Sequence, residues 1–318
     1  MALSFGVEIE LLVCPRGTPS LSPLAPASAS SLQTMRPSKH EPKTDNMPEI
    51  PRYWRVELVS RVLSTTTDWQ NELQAVFEVL HDECKVRLTT GCSMHVHVSP
   101  YDGRYTAGQL QKICKALCYF DNAITKVMPA ERKDNPWATS NKLKRAYTLV
   151  PAHSWAYIFK LLDKTTPKHV HGMLSGGWRW RSRYCSWNFE NVTEACGTIE
   201  FRRPPGADSP DSSIHWAAFT LGFVARALAT DWAPYASLKT VGSVADLERF
   251  ILGGISTLGP TMNGALGWRI VEDTSPPTVL TAEELGAIER KKKNKDRVKS
   301  PFVEKVSGKC WARIWQGR

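Results

Sequence analysis

The chain has 318 residues, of which 42% are hydrophobic and 23% charged, a composition typical of a globular protein with enough chain for a sizeable core. No apolar run approaches the roughly 20 residues that span a bilayer, and no basic segment precedes an apolar stretch at the N-terminus, so we expect neither a membrane span nor a secretory signal. Most of the net charge of +10 comes from one end, because residues 286–318 carry eleven Lys or Arg and three acids, whereas the rest of the chain carries 30 Lys or Arg and 28 acids.

The first half of the chain predicts strands, helices and one irregular segment. Residues 4–13 alternate and then turn apolar, which indicates a buried strand. Pro, Ser, Ala and Thr dominate residues 15–51, which indicates an insert or loop. The remaining elements are strands at Trp54–Leu63 and Met94–Val98, a helix that begins with a capping box of Thr67 and Gln70, and a helix at Gln109–Val127.

The second half predicts more helix than strand. Period-two alternation indicates strands at Trp178–Phe189 and Thr198–Arg203. Helical spacing of apolar residues indicates helices at 139–146, 154–162, Ser212–Thr230, 244–253 and 281–296. The order of elements predicts an α+β fold, a mostly antiparallel sheet backed by helices, as a single domain over 1–318. It would carry the insert at 15–51 and a basic helical tail at 281–318.

The eight cysteines form no Cys-x-x-Cys pair and lie inside otherwise apolar segments. Such positions favour buried thiols in a reducing compartment over a disulfide framework. We therefore expect a cytoplasmic protein.

The first strand carries a pair of carboxylates. In an extended chain Glu8 and Glu10 point to one face, while Val7, Ile9 and Leu11 point to the other. Two adjacent carboxylates repel each other unless a cation lies between them, and Mg²⁺ fills that role where a nucleotide phosphate is bound. A strand edge that faces solvent would show the same pattern, so both interpretations stay open at this point.

Two later strands also carry polar residues in apolar surroundings. The second strand has Glu57, and the third has His95 and His97 on one face. A His-x-His pair suits metal binding, phosphate binding or general acid–base chemistry. A second pair, His169 and His171, lies among Lys, Thr and Pro and is predicted to be loop.

Arginines and carboxylates accumulate between residues 178 and 203. Arg181 and Arg183 fall on one strand face, and Glu200 and Arg202 share a face of the next strand. Arginine beside a carboxylate is usually a structural ion pair. Several of each in one sheet suit an anionic substrate and its metal, because guanidinium grips carboxylate or phosphate in a bidentate manner.

The order of these segments resembles the amidoligase family, whose relatives are the carboxylate–amine ligases glutamine synthetase and glutamate–cysteine ligase. The segments that carry the resemblance are Phe5-Gly6-Val7-Glu8-Ile9-Glu10, Glu57-Leu58-Val59-Ser60, His95-Val96-His97-Val98, Glu131-Arg132-x-x-Asn135, Trp187-Asn188 and Gly197-Thr198-Ile199-Glu200-Phe201-Arg202. The resemblance spans roughly residues 4–230.

The resemblance implies a curved sheet that forms an active-site cup like the catalytic domain of glutamine synthetase. It implies ATP and Mg²⁺ or Mn²⁺ as cofactors, and amide-bond formation between amino-acid-like substrates through an acyl phosphate. The catalytic candidates are Glu8, Glu10, His95, Glu200 and Arg202, and the metal ligands would be Glu8, Glu10, Glu57 and Glu200. The candidates for substrate and cofactor binding are Asp45, Glu57, His97, Arg132, Asn135, Arg181, Arg183, Asn188 and Arg203.

Two other functions stay open. One is an amide-forming transferase that takes its acyl group from aminoacyl-tRNA and needs no ATP, with His95 or a Glu as general base and the basic tail as the tRNA contact. The other is a non-catalytic nucleic-acid-binding protein, which would leave the acids of the site without a purpose.

Overall fold

In a computed structural model, residues 1–16, 32–37, 53–141, 154–174 and 183–297 are described, with only the backbone described for 32–37 and 296–297. The chain divides into two compact units. Unit 1 comprises Met1–Tyr101, Phe201–Thr230 and Ala245–Val271, and unit 2 comprises Asp102–Glu200, Asp231–Val244 and Glu272–Arg318. The single domain expected from sequence stays a prediction.

Unit 1 is built on one long strand. The strands are β1 (Leu3–Pro15), β2 (Leu32–Pro37), β3 (Trp54–Ser60), β4 (Leu63–Ser64), β5 (Cys84–Arg87) and β6 (Met94–Pro100). Five pairings within unit 1 are antiparallel: β1 pairs with β3, β4, β5 and β6, and β2 pairs with β3. The strand β2 thus lies inside the segment that the sequence predicts as an insert or loop.

The described residues hold eight α-helices. They are α1 (Trp69–Glu83), α2 (Ala107–Lys126), α3 (Ala130–Lys133), α4 (Trp155–Leu162), α5 (Val170–Leu174), α6 (Pro210–Ala229), α7 (Val244–Leu258) and α8 (Ala282–Arg297). Two further short strands are β7 (Trp187–Asn188) and β8 (Ile199–Phe201). Short 3₁₀ turns occur at Glu190–Val192, Pro234–Ser237 and Pro260–Met262.

The core of unit 1 lies between its sheet and its helices. Helix α6 packs on β1 and β6, and α1 packs on α6. Val7, Ile9 and Leu11 are at most 2% exposed, so the apolar face of β1 is the buried one. An α+β fold with an antiparallel sheet and helices is therefore confirmed, while the curvature into a glutamine synthetase-like cup stays a prediction.

The starts of the first two helices show how local sequence decides a boundary. Helix α1 has Asp68 as its N-cap without a side-chain hydrogen bond, so the predicted capping box of Thr67 and Gln70 is wrong. Gln70 instead donates to the carbonyl of Thr261, 2.7 Å away. The capping box occurs at α2, where Thr106 and Gln109 bond reciprocally.

Unit 2 is held by helices and aromatic rings. Helix α2 contacts α4, and α4 contacts the 3₁₀ turn that begins at Pro234. The ring of Tyr119 on α2 lies 5.5 Å from Trp155 on α4 and 5.1 Å from Tyr235 in that turn. The contact with Trp155 is tilted and that with Tyr235 is edge-to-face. Ring contacts of this kind add to the burial energy of the aromatic side chains.

Several predicted elements in the middle of the chain differ from the structure. Of the helix expected at 139–146, Thr139 forms an isolated bridge with Cys185, and residues 142–146 lie outside the described part. The strand expected at Trp178–Phe189 is reduced among described residues to β7. The loop expected around His169 and His171 contains the short helix α5.

Two expectations drawn from composition concern membrane spans and cysteines. Within the described ranges, no helix is both long and apolar enough to cross a membrane. Seven cysteines are free in the described part of the chain. Six of them are buried, which confirms the prediction of buried thiols for these six, and Cys196 is partly exposed.

Candidate active site

The polar face of β1 carries Glu8 and Glu10. Both carboxylates are half-buried, whereas the neighbouring Val7, Ile9 and Leu11 on the opposite face are buried. The two acids therefore share one face of the sheet, as the period of the strand predicts.

The strand pairings decide which side chains meet on this face. Glu8 lies opposite His95 of β6, and Glu10 lies opposite Glu57 of β3. His97 is opposite Gly6 in the same register. Side chains directly opposite in an antiparallel pair have Cβ atoms about 5 Å apart, so three strands bring their polar residues into one patch.

Glu8 lies between the two histidines. His95 Nδ1 is 3.0 Å from Glu8 Oε2, and His97 Nε2 is 3.2 Å from Glu8 Oε1. Burial by itself raises the pKa of the Glu8 carboxyl, but the charge of His97 and the hydrogen bonds from both rings outweigh it. The pKa of Glu8 is therefore held well below its ordinary value, and the carboxylate is ionised at neutral pH.

Ser93 links Glu10 to His95 and was not predicted from sequence. Its backbone N–H and its hydroxyl both donate to Glu10 Oε2, at 3.1 and 2.6 Å. Its Oγ also lies 3.1 Å from His95 Nε2. The alternation that places His95 and His97 on one face places Ser93 there as well, so the signal was present in the sequence.

Three ligand atoms converge near the centre of the patch. One ligand atom each from Glu8, Glu57 and His95 lies within 4.8 Å of the other two. Two carboxylates and an imidazole form a donor set that fits a divalent cation such as Mg²⁺ or Mn²⁺. The Glu10 carboxylate accepts a hydrogen bond from the Ser93 hydroxyl. The metal-ligand role predicted for Glu10 stays a prediction.

A second group of predicted residues lies in unit 2. Glu200 is 2% exposed and accepts a hydrogen bond of 2.8 Å from Asn188 Nδ2. Asn188 Oδ1 in turn accepts from the Glu190 N–H at 3.0 Å. The neighbouring strands β7 and β8 thus bring together two residues that lie twelve positions apart in the sequence, on separate predicted strands.

Asn135 has a structural role in the turn after α3. Its Nδ2 donates to the Glu131 carbonyl at 3.1 Å, and its Oδ1 accepts from the Trp137 N–H at 2.9 Å. Arg132 of α3 is buried, with 3% exposure. The predicted contact of Arg132 and Asn135 with substrate stays a prediction.

The predicted arginines have different environments. Arg202 and Arg203 directly follow β8; Arg202 is half-buried and Arg203 is fully buried. Arg183 lies over the ring of Tyr184, 5.3 Å from its centroid. Asp45 and Arg181 lie outside the described residues, so their predicted roles rest on sequence alone.

The basic tail begins as helix α8, as predicted. Lys292 lies over the rings of Trp137 and Tyr184, at 5.6 and 5.1 Å from their centroids, and Lys295 lies 5.3 Å from that of Trp137. Two lysines of the basic tail therefore pack against aromatic rings within unit 2, which accounts for part of the basic sequence without a nucleic-acid partner.

A protein-family model matches more than half of the chain. A family model described as "Putative amidoligase enzyme" matches residues 29–224. None of the curated proteins matches the chain. The matched range contains Glu57, His95 and Ser93, whereas Glu8 and Glu10 precede it; their place beside these residues follows from the pairing of β1.

Proposed function

The chain belongs to the amidoligase family, and on that premise we propose that it joins a carboxylate to an amine in an ATP- and metal-dependent reaction. The observation that carries this proposal is the convergence of Glu8, Glu57 and His95 on the polar face of the sheet. A neutral, uncharged binding site would have no use for two carboxylates held this close together.

The donor set fits a divalent cation, and Glu8, Glu57 and His95 would hold it. When bound, such a cation supplies charge neutralisation on the phosphates of ATP and lowers the barrier to phosphoryl transfer. Glu8 is suited to this role because the two histidines keep it ionised. His97, on the far side of Glu8, would fix the orientation of that carboxylate.

The substrates would be a carboxylate and an amine of amino-acid type. The carboxylate attacks the γ-phosphate of ATP to give an acyl phosphate and ADP. The amine nitrogen then attacks the acyl carbon, the C–N bond forms, and phosphate leaves. Arg202 is the residue that we assign to the phosphoryl group, because a guanidinium presents two N–H donors to phosphate oxygens.

The test is ATP turnover by the purified chain with Mn²⁺ and mixtures of amino acids. We expect ADP and phosphate to form only when a carboxylate and an amine are both present, with a new amide detected by mass spectrometry. Glu57→Gln should lower the rate about 100-fold, the upper end of what altered metal surroundings cost. Glu78→Gln, an exposed acid on α1, is the matched control. ATP that stays intact in every mixture would overturn the proposal.

A further inference from the structure

A pair of arginines flanks β1 at the end of its polar face away from Glu8. Arg55 of β3 and Arg87 of β5 both lie opposite Leu12, one on each side of β1. Because residues directly opposite in an antiparallel pair share a face, both arginines lie on the face that carries Glu8 and Glu10. We propose that Arg55 and Arg87 form a subsite for the free carboxylate of a dicarboxylic substrate, an assignment that rests on the ligase activity proposed above.

The spacing of the strands allows both guanidiniums to reach one anion. Neighbouring strands lie about 4.8 Å apart, so β3 and β5 are separated by about 10 Å with β1 between them. Each guanidinium is carried on a flexible stem of methylene groups, and the two stems start on either side of Leu12. Leu12 is half-buried and supplies an apolar floor between them. An anion above Leu12 can therefore accept hydrogen bonds from both arginines.

Neither guanidinium is used by the fold. Within the described ranges Arg55 and Arg87 make no hydrogen bond and no ion pair, and both are exposed. Lys85, two residues before Arg87 on the same face of β5, is also exposed and adds a third positive charge. By contrast, Arg61, directly after β3, donates to Glu72 at 2.9 Å. The cations around Leu12 thus remain available to a ligand.

Opposite charges are separated along the polar face. The acids and His95 lie in the rows of Glu8 and Glu10, whereas the arginines lie in the row of Leu12. Same-face residues of a strand are about 7 Å apart, so that row lies about 7 Å from Glu10 and about 14 Å from Glu8. In the proposed reaction the acids hold the metal on the phosphates of ATP. The arginines are left for an anion that carries no metal, and a substrate carboxylate is such an anion.

The arginine pair would select the substrate and take no part in bond making. A guanidinium presents two parallel N–H donors to the two oxygens of a carboxylate. The carboxylate that becomes the amide lies toward the metal, and a second carboxylate of the same molecule lies at the pair. The chain should therefore bind a short dicarboxylic acid more tightly than a neutral analogue of equal length.

The experiment titrates glutarate into the full chain by isothermal titration calorimetry at low salt, without ATP. We expect Arg55→Gln and Arg87→Gln each to raise the Kd of glutarate about tenfold, because charge-assisted hydrogen bonds are lost. Arg55→Lys keeps the charge but loses the planar fork, so its Kd should lie between the two. Arg249→Gln on α7, with a side chain 73% exposed, is the control and should bind like the wild type.

Salt, charge and metal give three further readouts. Added NaCl should weaken glutarate binding, because the arginines are exposed and salt screens exposed charges. Pentanediamide, which has the length of glutarate without its charges, should not bind. The effect of each substitution should be the same in Mn²⁺ and in EDTA, since the subsite itself holds no metal.

The outcomes separate this inference from the proposed ligase activity. Glutarate that does not bind, or that binds equally well to the wild type, Arg55→Gln and Arg87→Gln, overturns the subsite. Substitutions that weaken the binding of ATP but not of glutarate also overturn it, because the cations then hold a nucleotide phosphate. A chain that binds glutarate through both arginines but forms no amide with any amine contradicts the ligase activity and leaves the carboxylate subsite in place.

Discussion

Gly254 of α7 lies against the carbonyl of Gly222 in α6, so closely that a Cβ on Gly254 would stand 1.8 Å from the Gly222 oxygen. A Cβ on Gly222 would likewise stand 2.7 Å from the Ile251 oxygen. No side chain fits at either position, so this pair of glycines sets the distance between the two helices of unit 1.

Gly254→Ala should therefore destabilise unit 1 strongly. The clash is with backbone, which cannot rotate away as a side chain can, so we expect a loss of about 3 kcal/mol or more in the free energy of unfolding. Urea denaturation followed by circular dichroism measures it. Gly253→Ala is the control, because its Cβ would meet only the flexible side chain of Arg226 at 3.4 Å. Equal stability of the two variants would contradict the close approach.

The burial of His215 should make the stability of the folded chain depend on pH. Burial lowers its pKa to about 4, although its Nδ1 hydrogen bond to the Leu266 carbonyl raises it in part. The unfolded chain has the ordinary value of 6.5 and so binds more protons between these pH values. The free energy of unfolding therefore has its full value above about pH 6.5. It falls as the pH drops toward 4, by at most about 3 kcal/mol.

His215→Gln removes this titration. Urea midpoints measured at pH 7, 6, 5 and 4.5 should fall less steeply for the variant than for the wild type. His169→Gln, at an exposed position in unit 2, controls for the loss of a histidine elsewhere. A variant with the wild-type slope would show that His215 does not cause the dependence.

Asn188→Asp should destabilise unit 2 at neutral pH. The change would place a second carboxylate 2.8 Å from that of Glu200, which is itself 2% exposed, and two buried like charges cannot both stay ionised. We expect a loss of about 3 kcal/mol at pH 7 that becomes smaller at pH 5, where one of the pair takes up a proton. Thermal unfolding at the two pH values tests this. Asn191→Asp, three residues further along the chain, is the comparison.

Binding of Mn²⁺, measured by electron paramagnetic resonance, tests the metal site without any substrate. Glu57→Gln and Glu8→Gln should each raise the dissociation constant for Mn²⁺ about 10-fold or more, because each removes one charged ligand. Glu78→Gln should bind like the wild type. Equal affinity in all variants would place the cation elsewhere.

Much of the fold was readable from periodicity alone. The long helices α2 and α6 and the strand β1 have many residues in one pattern, so the signal accumulates over several turns or alternations. Periodicity did not predict the short strands β7 and β8. β7 has two residues and β8 has three, and such lengths are decided by tertiary pairing rather than by local pattern.

The sequence predicted which polar residues share a face of the sheet, but only some of the contacts among them. Parity predicted that Glu8 and Glu10 share a face, and the structure agrees. Parity could not predict that Glu57 would converge on Glu8 rather than remain with Glu10, its partner in register. That outcome depends on side-chain rotamers, and on Ser93 holding Glu10, neither of which a single sequence specifies.

The strand β2 has a consequence for the behaviour of the whole chain in solution. It pairs with β3 on the side away from β1, and so occupies the row of backbone N–H and C=O groups that β3 would otherwise present. An uncovered row of this kind recruits strands from other molecules. By pairing with β3, β2 takes the place that a strand from another molecule would otherwise occupy beside the strand that carries Glu57.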